Sequence, residues 1–163
     1  MTVPDRAATP ALLQVDAILS RLSGRQALDE VCRFLRRSFA HYPWVGVYRV
    51  EGADLVLDAW DGAQATEHTR IPIARGICGQ AAREDRSVIV DDVRTDPNYL
   101  ACFLETRAEI VVPIRHEGRV VGEIDIDGNA VKAFDGSDRR FLEAVAARLG
   151  GAAAASASEP PRE

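Results

Sequence analysis

Leu12, Val15, Ile18, Leu19 and Leu22 recur at three- and four-residue intervals behind Thr9-Pro10, a capping residue followed by the proline that suits a first helical turn. They predict a helix over residues 10–22. A second apolar face, Leu28, Val31, Cys32, Leu35 and Phe39, follows Ser23-Gly24 and predicts a helix to about residue 40, ended by Tyr42-Pro43. From Trp44 the period falls to two. WVGVYRV and LVLDAW read as a hairpin across Glu51-Gly52-Ala53-Asp54, and a short strand near 69–73 leads to Gly76-Ile77-Cys78-Gly79. A short helix over QAARED, a strand at SVIV and a loop over DDVRTDPNYL come next. Residues 109–115 and 119–127 form another hairpin, and Asp135 to Asp138 introduce a last helix that stops at Gly150-Gly151.

The pattern predicts one α+β domain over residues 10–150: an antiparallel sheet covered on one face by N- and C-terminal helices, its other face available for a pocket. Residues 1–9 read as a flexible N-terminus. The run AAAASASEPPRE reads as part of a disordered tail over 151–163.

Alternation along Glu123-Ile124-Asp125-Ile126-Asp127 sends three carboxylates to one side of a strand and two isoleucines to the other. A solvated strand face is the ordinary explanation. Yet like charges at every second position disfavour joint ionisation unless a cation such as an ammonium group sits among them. If the face is enclosed, one carboxyl holds a proton near neutral pH and serves as a general acid. In WVGVY the same alternation aligns Trp44, Gly46 and Tyr48, the glycine leaving a gap between two rings: either core packing or an aromatic slot for a small sulfur-bearing group.

Composition narrows the chemistry. The 163 residues carry 20 Lys and Arg against 25 Asp and Glu, a net charge of −5 that works against nonspecific nucleic-acid or anionic-membrane binding. No apolar run approaches the roughly 20 residues of a membrane span, and MTVPDRAATP lacks a signal-peptide pattern, so a cytoplasmic location is expected. The three cysteines, Cys32, Cys78 and Cys102, make no CxxC pair, and the histidines His41, His68 and His116 make no metal-ligand pair, so no metal is expected. P-loop and GxSxG patterns are absent. Thiol chemistry is what remains. Cys32 belongs to a helix core face. Cys78, between glycines where a loop enters a helix, has the setting in which a helix N-terminus stabilises a thiolate, whereas the surroundings of Cys102 would equally describe an inert buried thiol.

The order WVGVY, RIPIARGICG, DDV, NYLACF, TRAEIVVPI, GEIDID and AFDGSDRRFLEAVA resembles the GAF domain family, and within it the free methionine-(R)-sulfoxide reductases, over about residues 12–149. The resemblance implies a GAF fold and thiol-dependent reduction of free L-methionine (R)-sulfoxide to L-methionine through a cysteine sulfenic acid. No bound cofactor is needed, and a thioredoxin-like donor returns the thiols. It implies that Cys102 attacks the sulfoxide sulfur with Cys78 nearby, overriding the local preference for Cys78. Glu109, Asp125 and Asp127 bind the substrate ammonium or help protonate the sulfoxide oxygen, and Trp44 and Tyr48 enclose the methyl end. In three-cysteine members a further, usually resolving, cysteine stands ten residues before the GICG-type cysteine; here that position is His68, which leaves Cys78 or an external thiol to resolve. Apolar faces of the terminal helices, and the habit of similar GAF proteins, imply a homodimer. The alternative is a standalone sensory GAF module that binds a small molecule or senses redox state without catalysis.

Overall fold

The computed structural model describes residues 3–101 and 103–161. Helices α1 (Asp5–Arg21) and α2 (Gly24–Ser38) lead into strands β1 (Trp44–Glu51), β2 (Asp54–Gly62) and β3 (Arg70–Pro72). Helix α3 (Gly76–Glu84), strand β4 (Val88–Val90) and a single 3-10 turn at Val93–Thr95 follow. The chain ends with β5 (Ala108–His116), β6 (Arg119–Gly128) and α4 (Gly136–Ser156). The strands form one six-stranded sheet in the order β3-β2-β1-β6-β5-β4, and every neighbouring pair is antiparallel.

The alternation in β6 assigns the two faces of the sheet. Ile124 and Ile126, with Val45 and Val47 of β1 and Ile110 and Val112 of β5, point into a core completed by Leu28, Val31 and Leu35 of α2 and Leu142, Val145 and Leu149 of α4. Each such aliphatic side chain contributes about 1.5–3 kcal/mol when fully buried, so a Leu142→Ala change costs roughly 2–5 kcal/mol. The opposite face carries a second cluster of Tyr48, Leu55, Ile71, Ile77, Ala81 and Val111, roofed by α3. The three long helices therefore anchor the sheet from one side, and the acid-bearing side is closed by a short helix and loops.

Both chain ends depart from the sequence expectation. Residues 5–9, read as a flexible N-terminus, are helical, and Pro10 lies inside α1 instead of opening it. The first turn is gained because Val3, Ala11 and Val15 are buried in the core. Helix α4 passes through Gly150-Gly151, where the sequence predicts its end and a disordered tail. Gly150 is a close-contact residue: a Cβ there would stand 2.3 Å from the carbonyl oxygen of Arg115. Ser156, fully buried, donates to Oδ2 of the buried Asp58 at the bulge of β2. Arg25 reaches Asp58 Oδ1 at 2.9 Å and the Pro160 carbonyl at 2.7 Å, and its backbone N–H donates to Glu159 at 3.1 Å. The run 151–160 is thus fastened to the start of α2. Composition could not reveal that, because its alanines are neutral about partners.

At its other end α4 carries a capping box. Asp135 accepts from the backbone of Ser137 and Asp138, and the Asp138 side chain accepts from the Asp135 N–H. The second oxygen of Asp138 receives the Tyr42 hydroxyl and faces His41, each at 2.7 Å. Burial, followed by the Asp138 charge, raises the Tyr42 pKa far above its ordinary value, so the phenol remains a donor.

Candidate active site

Register builds the site. Asp127 of β6 stands between Trp44 of β1 and Glu109 of β5, Asp125 between Gly46 and Val111, and Glu123 between Tyr48 and Pro113. This side of the sheet is enclosed, not solvated: Glu123, Asp125, Asp127 and Glu109 are between 0% and 4% exposed. Both oxygens of Glu123, both of Asp127 and Oδ1 of Asp125 lack a hydrogen-bond partner among the described residues.

Such a row cannot be fully ionised. Removal from water raises the pKa of Glu123, Asp125 and Asp127, and the neighbouring Asp125 charge adds to the rise at Glu123 and Asp127. The face stores protons that a bound ligand with acceptor atoms can receive, and it attracts any cation that fits.

Cys78 enters this row from α3. Its two flanking glycines have separate structural reasons. Gly76 adopts φ +73 against the Leu100 side chain, and a Cβ on Gly79 would stand 2.4 Å from the Ile73 carbonyl oxygen. Cys78 is buried, with Sγ 3.9 Å from Glu109 Oε1. The expectation that the helix N-terminus lowers its pKa is overturned. Burial first, then the charges of Asp125, Glu123 and Glu109, push the thiol well up. Cys78 is a protonated thiol while those acids surround it, which removes the local argument for it as the attacking sulfur. Cys32 sits fully buried in the helical core, as its place on the face of α2 predicts.

Two cavities open along the acid row. The larger, about 340 Å³, has Trp44 and Phe103 as aromatic walls, Asp127 on its floor, and Glu105, Thr106 and Asn129 at its edge. The smaller, about 10 Å³, lies among Cys78, Glu109, Asp125, Ile77 and Leu100. The ring centroids of Trp44 and Phe103 are 5.6 Å apart with planes at 53°, and Trp44 Nε1 donates to the Gln64 carbonyl at 3.2 Å.

The gap expected between Trp44 and Tyr48 is not open. The indole folds back over Gly46 and fills it, since a Cβ on Gly46 would lie 2.4 Å from Trp44 Cη2. Tyr48 is fully buried in the apolar cluster below, and its hydroxyl donates to the His68 carbonyl at 2.7 Å. The second aromatic wall is Phe103, which the sequence pattern did not single out. Its position beside Cys102 was the available signal.

Cys102, to which the resemblance gives the attack, lies outside the described residues. Of the two residues before it, Leu100 packs on Gly76, and the Ala101 carbonyl accepts from His68 Nε2 at 3.0 Å. His68 thus links Tyr48 below it to the residue preceding Cys102.

Residues 24–152 match the GAF domain family. GAF domain-containing protein A of Dictyostelium discoideum is 33% identical over 136 residues, spanning 82% of this chain and 84% of the relative. The free methionine-R-sulfoxide reductase of Saccharomyces cerevisiae is 38% identical over 107 residues, 63% of this chain and 58% of that protein. Among solved structures, free methionine-R-sulfoxide reductase from Neisseria meningitidis in complex with its substrate superposes with a TM-score of 0.85 at 33% identity, covering 93% of this chain and 91% of the other.

Proposed function

The chain belongs to the GAF domain family, and from that premise we propose that it reduces free L-methionine (R)-sulfoxide to L-methionine with a cysteine thiol as the reductant. The observation that carries this reading is the enclosed row of Glu123, Asp125 and Asp127, with unpartnered oxygens, beside a cavity walled by Trp44 and Phe103. A sulfoxide offers a basic oxygen and an electrophilic sulfur, and an amino acid adds an ammonium group. Protonated carboxyls answer the oxygen, ionised ones the ammonium, and aromatic walls the methyl-sulfur end. The likeness to named free methionine-R-sulfoxide reductases supports the same reading.

In the mechanism, the Cys102 thiolate attacks the sulfoxide sulfur while a carboxyl of the row protonates the oxygen. Two electrons pass from the thiol to the substrate, the oxygen ends on Cys102 as a sulfenic acid, and methionine leaves as the thioether. A second thiol condenses with the sulfenic acid, expelling water and forming a disulfide, and a thioredoxin-like dithiol returns both sulfurs to the reduced state. Cys78, protonated and buried, is the resolving candidate within the chain; an external thiol is the other. Trp44, Glu109, Asp125 and Asp127 hold the substrate, and Tyr48 acts from below through His68. The working unit is a homodimer in the cytoplasm. No described helix is long and apolar enough to cross a membrane.

The reading is tested by giving the reduced protein racemic free methionine sulfoxide and dithiothreitol and separating the epimers. Selective loss of the (R) form with equimolar methionine is expected. Persistence of both epimers returns the chain to a binding module without catalysis.

A further inference from the structure

The small cavity beside Cys78 has a composition of its own. Cys78 Sγ, one carboxylate oxygen of Glu109 and one of Asp125 all lie within 4.8 Å of one another. They line a void of about 10 Å³, roughly the room of one water-sized guest. Among the described residues Asp125, 1% exposed, keeps Oδ1 without a hydrogen-bond partner, and no Lys, Arg or His lines the void. A thiol and two carboxylates in an enclosed space, short of positive charge, are a donor set that seeks a cation.

The donors select among cations. Calcium and magnesium take six or more oxygens and have no use for sulfur. Zinc takes sulfur and oxygen donors together in fourfold coordination, at about 2.3 Å to sulfur and 2.0–2.2 Å to oxygen. Those lengths set a sulfur and an oxygen of one tetrahedron about 3.5–3.7 Å apart, so the 3.9 Å between Cys78 Sγ and Glu109 Oε1 needs to close by only a few tenths of an ångström.

We propose that Cys78, Glu109 and Asp125 form a zinc site, supplying three of its four ligands, and that zinc seated there shuts off sulfoxide reduction. Binding expels the Cys78 proton, and any held by the two carboxyls, to solvent; no electron moves. The ion ties up the thiol that would resolve the sulfenic acid and two acids that would meet the substrate. The inhibitory consequence rests on the proposed reductase activity, whereas the binding itself does not.

Cobalt(II) serves as the spectroscopic stand-in for zinc. Titrated into the reduced, metal-free full-length protein, it is expected to give a thiolate-to-cobalt charge-transfer band that saturates at one equivalent and is bleached by zinc. Cys102→Ser keeps the band, Cys78→Ser loses it, and Asp125→Asn weakens binding at least tenfold, with circular dichroism confirming that each variant is folded. No band and no zinc uptake by the wild-type protein overturns the site, as does a band that survives Cys78→Ser or disappears in Cys102→Ser. The activity arm is read separately. A metal-free protein that reduces the (R) epimer and is unaffected by one equivalent of bound zinc overturns the inhibition, and a protein that binds zinc through Cys78 yet never turns over leaves the site standing and removes the reductase.

Discussion

The indole of Trp44 lies across the Cα of Gly46, two positions on in the same strand; a Cβ on Gly46 would meet Trp44 Cζ3 at 2.6 Å and Cη2 at 2.4 Å. Gly62, cross-strand to Trp44, supports the other end of the ring, its virtual Cβ falling 2.2 Å from Cδ1. Two glycines thus make the bed that presents Trp44 to Phe103 and to the cavity above Asp127. Gly46→Ala is expected to lift the ring. Overpacking of this kind costs about 1–3 kcal/mol, which at about 2–4 °C per kcal/mol in a chain of this size lowers Tm by several degrees. Tryptophan fluorescence and KM for the sulfoxide should move with it. An unchanged emission spectrum and KM would show that the ring position is not set by Gly46.

His68 is expected to act through the backbone. Its Nε2–H donates to the Ala101 carbonyl, one residue before Cys102. A hydrogen bond of this kind is worth about 1 kcal/mol, so His68→Ala should lower kcat about fivefold, with KM nearly unchanged and Tm within a few degrees of wild type. His68→Gln, which can donate to the same carbonyl, should recover part of the loss. Equal kcat in wild type and His68→Ala would remove this linkage from the account.

The acid row sets a pH dependence of stability. Glu123 and Asp127 hold their protons in the folded state well above their ordinary pKa, whereas the unfolded chain releases them near pH 4. Below about pH 4 both states are protonated and stability is undiminished. Above it the unfolded state alone loses protons, so stability falls as pH rises toward the raised folded values. Glu123→Gln removes one such group. Its Tm relative to wild type should be higher at pH 8 than at pH 5 by at least about 2 °C, or roughly 1 kcal/mol. Thermal melts at the two pH values check this, and an equal difference at both contradicts it.

Ser156→Ala should destabilise the fold although it lies far along the chain from every other element it touches. It leaves a buried oxygen of Asp58 without its hydroxyl donor, a loss of about 1–3 kcal/mol. Denaturant unfolding measures it, and a midpoint equal to wild type would show that the end of α4 is not fastened there.

Much of this was legible in the sequence for a simple reason: period-two and helical patterns survive wherever one face of an element is buried. The hairpins of β1 with β2 and of β5 with β6, and the shared face of Glu123, Asp125 and Asp127, follow from alternation alone. What alternation cannot state is how far a side chain leans. It aligned Trp44 with Tyr48 but could not foresee that the indole would fold over Gly46, or that Phe103 from a loop would face it. Local context misjudged Cys78 because a helix N-terminus is visible in sequence, whereas the three acids that outweigh it arrive from β5 and β6. The end of α4 was missed because a glycine pair that marks a stop in isolation is here the point of closest approach to Arg115.

The proposed chemistry comes down to stereospecific sulfoxide reduction that depends on Cys102. It is tested most directly by following NADPH consumption with thioredoxin and thioredoxin reductase, comparing free L-methionine (R)-sulfoxide with its (S) epimer, in wild type and in Cys102→Ser. Turnover of the (R) epimer alone is expected, abolished by Cys102→Ser in a protein that melts like wild type. Equal rates with both epimers, or undiminished turnover in Cys102→Ser, would contradict it.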